Sequence, residues 1–77
     1  MTNILIFKSD NTGAVYSWNG RDVVTIVGAK NRPVGQIMNG FSNQFLKNVF
    51  DKNYMTKDYR YFNIGDARYE IIVRIGV

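Results

Sequence analysis

The hydrophobic period of this chain changes along its length, and that change limits what it can fold into. Up to Val27 the apolar residues fall in short alternating or β-branched runs. From Val34 to Phe50 they recur at helical spacing, and from Lys57 onward they alternate again. Strands on both sides of one helical stripe predict an α+β fold in the order βββαββ. In it, one long amphipathic helix packs on an antiparallel or mixed sheet of four to five strands.

Asn3 to Lys8 is a continuous apolar run followed by the breakers Ser9-Asp10-Asn11-Thr12-Gly13, which reads as a central strand with both faces covered and then a turn. Ala14 to Trp18 and Arg21 to Val27 flank Asn19-Gly20. Those two residues readily take the positive φ angles of a two-residue type I′ hairpin turn. Val23, Val24, Thr25, Ile26 and Val27 are all β-branched, and their restricted χ1 favours a pleated surface.

From Pro33, the residues Val34, Ile37, Met38, Phe41, Phe45, Leu46, Val49 and Phe50 place one greasy stripe along a helix. Pro33 suits its first turn and Asn31 or Arg32 its cap. Lys47 and Lys52 oppose the negative end of the dipole, and Asn53 suits a left-handed exit. Gly35 and Gly40 each weaken such a helix by about 1 kcal/mol relative to alanine.

Lys57 to Ile64 and Ala67 to Ile75 form a second hairpin about Gly65-Asp66. A two-residue loop sets Ile64 against Ala67, Phe62 against Tyr69 and Arg60 against Ile71. Strict alternation then turns Phe62, Ile64, Tyr69, Ile71, Val73 and Ile75 toward the helix. Lys57, Tyr59, Tyr61 and Asn63 face outward across from Arg68, Glu70, Ile72 and Arg74.

Seventy-seven residues allow a single domain, residues 1–77, with little room for both a core and an internal cavity. The chain has no histidine and no cysteine. Cys-His and Ser-His-Asp catalysis and the usual zinc sites are thereby excluded, so we expect a non-enzymatic protein without cofactor or metal. The longest apolar runs are too short to span a bilayer, no secretion signal is evident, and the expected compartment is the cytoplasm. A net charge of +4 favours anionic partners without naming them. A leaning toward Phe, Tyr, Met, Ile, Asn and Lys is what AT-rich codons produce. With the small size it suits a phage-type accessory protein acting in a host cytoplasm.

Two surfaces carry the functional expectation. Lys57, Tyr59, Tyr61, Arg68, Ile72 and Arg74 mix tyrosine with basic residues on one sheet face, a composition shared by protein hot spots and single-strand-binding platforms. Tyrosines are also ordinary strand formers, and no RNP-type spacing surrounds Tyr59-Arg60-Tyr61-Phe62. Lys30, Asn31 and Arg32 form a basic loop before the expected helix, a candidate anion seat that lacks P-loop spacing.

Three classes of function follow. The first is stoichiometric binding of another macromolecule, chiefly a host protein that is inhibited or redirected. The second is binding of single-stranded DNA or RNA, and the third is sequestration of a small anionic ligand such as a nucleotide. A sheet with one uncovered face also predicts a homodimer, through the Tyr59/Tyr61/Ile72 face or an edge strand.

Overall fold

Leu5, Phe7, Tyr16, Trp18 and Val23 occupy alternate positions of three consecutive strands, and all are buried beneath Leu46, Val49 and Phe50 of one helix. The computed structural model describes residues 3–28, 34–35, 37–38 and 40–76. Among them the elements are β1 (Ile4–Ser9), β2 (Val15–Trp18), β3 (Val23–Val27), β4 (Ile37–Met38), α1 (Asn43–Met55), β5 (Tyr61–Ile64) and β6 (Ala67–Ile75). The fold is α+β, with six antiparallel strands ordered β4-β3-β2-β1-β6-β5. The order is thus ββββαββ rather than βββαββ, and the sheet is wider than the four to five strands expected.

The extra strand comes from a helix that starts later than the spacing suggests. Gly35 has φ +87°, a conformation closed to α-helical residues, and donates its N–H to the Thr25 carbonyl at 2.6 Å. Ile37 and Met38 then pair with Val24 and Val23. Their i, i+3, i+4 spacing is real, but two glycines weaken the helix there and the β3 edge offers backbone partners instead. The N-cap is Ser42, in extended conformation, whose Oγ accepts from the Phe45 N–H at 3.3 Å. Asn31, Arg32 and Pro33 lie outside the described residues.

At the other end, Asn53 is helical and its Nδ2 donates to the Tyr59 carbonyl at 2.7 Å. The exit is at Thr56 in extended conformation, not at a left-handed Asn53. Of the two lysines read as opposing the dipole, only Lys52 lies in the last turn. Lys47 sits a turn earlier and pairs with Asp51 at 3.0 Å.

The first hairpin also departs from the turn expected at Asn19-Gly20. Trp18 pairs with Val23, the Asn19 N–H donates to the Asp22 carbonyl at 3.2 Å, and the chain turns at Gly20-Arg21, where the Asn19 Oδ1 accepts from both the Arg21 and Asp22 N–H groups. That local pairing fixes the turn one residue later than Asn19-Gly20. In contrast, the Gly65-Asp66 hairpin keeps the expected register, Ile64 with Ala67 and Phe62 with Tyr69, and the Ile71 N–H reaches the Arg60 carbonyl at 2.7 Å.

Phe7 is the hub of the core. Its ring lies 5.2–5.7 Å from those of Tyr16, Phe41, Phe62 and Tyr69, mostly edge to face. Trp18 is buried, and its Nε1 donates to the Asn43 Oδ1 at 3.1 Å, tying β2 to the first turn of α1.

Two β-bulges flank the central β1–β2 hairpin. Ile6 pairs with Val73 while Phe7 pairs with Ile71, so Ile72 is an extra residue in β6. Val15 pairs with Val27 while Tyr16 pairs with Thr25, so Ile26 is the extra residue in β3. Each inserts one position and shifts the inward–outward phase of everything beyond it.

Candidate functional site

The helix covers one face of the sheet, and residues out of phase with the core build the other. Register places Ile37, Val24, Ser17, Ile6 and Val73 in one row of neighbours running from β4 through β3, β2 and β1 to β6. A parallel row runs Val27, Val15, Lys8, Glu70 and Tyr61 from β3 to β5. Ile4 pairs with Ile75 beyond the first row. Ile26, Val27, Ile37, Ile72, Val73 and Ile75 are 39–57% exposed. A contiguous aliphatic field of this kind is uncommon on a monomer surface that meets only water.

The field has a polar margin. Lys8 and Glu70 stand directly opposite one another on β1 and β6. Tyr61 and Asn63 on β5 face Glu70 and Arg68. The Arg68 guanidinium lies 4.1 Å from the centre of the Tyr61 ring, and its Nε is 3.6 Å from the Asp10 carboxylate. Aliphatic centre and tyrosine–arginine margin together match the anatomy of a protein interface.

No family model, curated protein or solved structure matches this chain. Its function is therefore argued from geometry alone.

The structure brings together only some of the residues that alternation placed on one outward face. Tyr61 and Arg68 are exposed there, and Ile72 is exposed beside the notch that Asn53 and Arg74 line. Arg74 is not on that face, because the extra residue Ile72 shifts the phase. Arg74 pairs with Leu5 in the helix-side row and reaches under α1, where its Nε donates to the Phe50 carbonyl at 2.9 Å. Its Nη1 donates to the Gly76 carbonyl at 2.8 Å, and its guanidinium sits 4.0 Å and 4.6 Å from the Phe50 and Tyr54 ring centres. The Nη2 is buried without a hydrogen-bond partner among the described residues. This arginine clamps helix to sheet.

Val73 and Ile75 make the reverse move, from expected core to open face. Tyr59 precedes β5 and packs half-buried against the core under the Lys52 ammonium, 4.6 Å from its ring centre. Desolvation raises its phenol above the ordinary tyrosine value. Lys57 lies in the turn after α1, where it lines a notch of about 450 Å³ with Asn53, Arg60, Glu70 and Arg74. Lys30, Asn31 and Arg32 lie outside the described residues, so the anion seat is not placed.

Reading the first apolar run as a strand covered on both sides missed Ile4 and Ile6 as members of the open face. The signal that finds them is positional. Leu5 and Phe7 are fully buried while Ile4 and Ile6 are half-buried, an alternation that Ile-Leu-Ile-Phe hides because every member is apolar. Among the described residues no three acidic side chains converge on a metal-sized point, and no helix is long and apolar enough to cross a membrane.

Proposed function

We propose that this chain is a small non-enzymatic binding protein that acts stoichiometrically on another protein, using the open face of its sheet as the docking surface. The observation that carries this reading is the row Ile37–Val24–Ser17–Ile6–Val73, four β-branched residues and one serine crossing five strands on the face away from the helix. Burying such side chains contributes roughly 25 cal/mol per Å². The role fits a phage-type accessory protein that occupies a host factor in the cytoplasm.

Single-stranded nucleic acid is the less supported partner. Arg68 already covers one side of the Tyr61 ring, and Arg74 is turned into the protein. A base-stacking platform needs open aromatic faces with free cations beside them.

The test is affinity capture from a bacterial lysate, with and without nuclease, comparing the wild type with Ile37→Lys/Val73→Lys. A protein retained after nuclease by the wild type and lost by the variant is the expected result. Recovery of nucleic acid, with proteins released by digestion, would transfer the function to nucleic-acid binding. Equal capture by both forms would remove the open face from consideration.

A further inference from the structure

We infer that the open face is occupied, in the free protein, by a second copy of this chain, giving a twofold homodimer in which two sheets stack with the helices outermost. The inference rests on the reading of this face as a docking surface and names its first occupant.

Area is the first argument. The chain is a slab with extents of 34 × 26 × 18 Å. A helix layer on a sheet accounts for the short dimension, so the open face takes up one of the two broad sides. That side is comparable to the ~800 Å² per partner that a standard stable interface covers. Two such sheets pack about 10 Å apart, with the inner side chains interdigitating as in a β-sandwich.

Charge is the second argument. The protein carries +4 overall, so two copies repel unless they meet on a neutral surface. The open face is that surface. Within its two long rows the charged residues are Lys8 and Glu70, one of each sign and directly opposite each other. Stacking two copies therefore brings no excess of either sign into the interface. An acidic protein or a nucleic acid would find no positive field there, whereas a twofold copy meets the same aliphatic chemistry in mirror order. The Tyr61–Arg68 pair stays at the margin, where the arginine keeps water and Asp10 as neighbours.

The bulges give the third argument. Ile26 and Ile72 are the inserted residues in strands on opposite sides of the β1–β2 hairpin, and both are exposed. Bulges increase local twist and re-aim side chains. Here the β6 bulge turns Val73 and Ile75 onto the open face opposite Ile6 and Ile4, which raises apolar exposure there with no return unless something covers it. Self-association and capture of a target protein then draw on the same residues and exclude one another.

Sedimentation equilibrium from about 1 to 100 µM brackets a micromolar dimer. The wild type is expected to approach twice the 8.9 kDa chain mass at the upper end of this range. Val73→Lys places like charges in one dry interface and should raise the dissociation constant at least about a hundredfold while circular dichroism stays native. Ile37→Lys, at a more exposed position, serves if Val73→Lys unfolds. Met55→Lys, on the helix, should leave the dimer intact. Because the chain has no cysteine, Ser17→Cys on a central strand should form an intermolecular disulfide faster than Asn48→Cys on the helix.

A wild type monomeric throughout this range overturns the second copy as occupant. If Ile37→Lys/Val73→Lys still abolishes lysate capture in that case, the docking reading survives by itself; if capture is also unaffected, both fail. A dimer insensitive to Val73→Lys and Ile37→Lys, with no preference for cross-linking at Ser17→Cys, assigns association to another surface and also overturns the inference.

Discussion

Arg74 donates from its Nε to the Phe50 carbonyl at 2.9 Å while its guanidinium lies 4.0 Å from the centre of that residue's own ring, so one side chain holds both the backbone and the aromatic face of α1. The contact closes the sheet against the helix at the end where β5 no longer reaches. Arg74→Ala removes two charge-assisted hydrogen bonds and two cation–π contacts, and should lower the unfolding free energy by about 2–4 kcal/mol. Urea unfolding checks this. A loss within about 0.5 kcal/mol would mean that the arginine behaves as an ordinary surface residue.

The bulge at Ile72 makes a prediction that strict alternation does not. Removing Ile72 restores uninterrupted pairing of β6 with β1 while leaving Val73 outward and Arg74 inward. The deletion should therefore fold, with a cost of no more than about 2 kcal/mol. Combining it with Arg74→Ala should still show the arginine's full effect. Loss of that effect in the shortened chain would show that the bulge itself aims the guanidinium.

Phe7 contacts four other rings from the middle of the sheet. Phe7→Ala should cost about 3–5 kcal/mol, as should Phe62→Ala at the next node of the cluster. Tyr61→Ala, at an exposed edge position, should cost less than about 1 kcal/mol. Thermal unfolding of the three variants separates core phenylalanine from surface tyrosine.

Ser42 is the helix start that the structure assigns. Ser42→Ala should destabilise by about 1 kcal/mol and Ser42→Asp should be near neutral, because an aspartate can replace the Oγ as acceptor for the Phe45 N–H. Equal losses in both variants would count against a capping role.

Burial raises the Tyr59 phenol above its ordinary value of 10.0. The folded state thus holds this proton more tightly than the unfolded chain does. As pH climbs, the unfolded chain ionises first. The resulting stability is intact below about pH 10 and is lost as pH rises through the folded value. Chemical unfolding measured from neutral pH into this range should fall less steeply in Tyr59→Phe than in the wild type.

The legible parts of the fold were those where local chemistry and tertiary packing agree. Gly65-Asp66 sits between two runs of matched phase, and its register follows from the turn alone. Leu46, Val49 and Phe50 form a stripe on a helix with no competing signal. Residues 34–41 were misread because Val34, Ile37, Met38 and Phe41 satisfy helical spacing while Gly35 adopts a backbone conformation closed to helices. The candidate face was half legible. Tyr61 and Arg68 follow from the hairpin register, but Val73, Arg74 and Ile75 depend on one inserted residue that the residue types around Ile72 do not announce. A bulge is a property of two strands together, and β1 pairs with β6 from the far end of the chain.

That pairing governs the order of events during synthesis. Ile4 meets Ile75 and Phe7 meets Ile71, so one edge of β1 stays open until β6 has been made. Loop closure over this span is entropically demanding, and folding should wait for it. A nascent chain therefore carries the β1–β2 hairpin with an unpaired, isoleucine-rich edge throughout the synthesis of β3, β4, α1 and β5. That interval, rather than the finished protein, is when this chain most needs a chaperone.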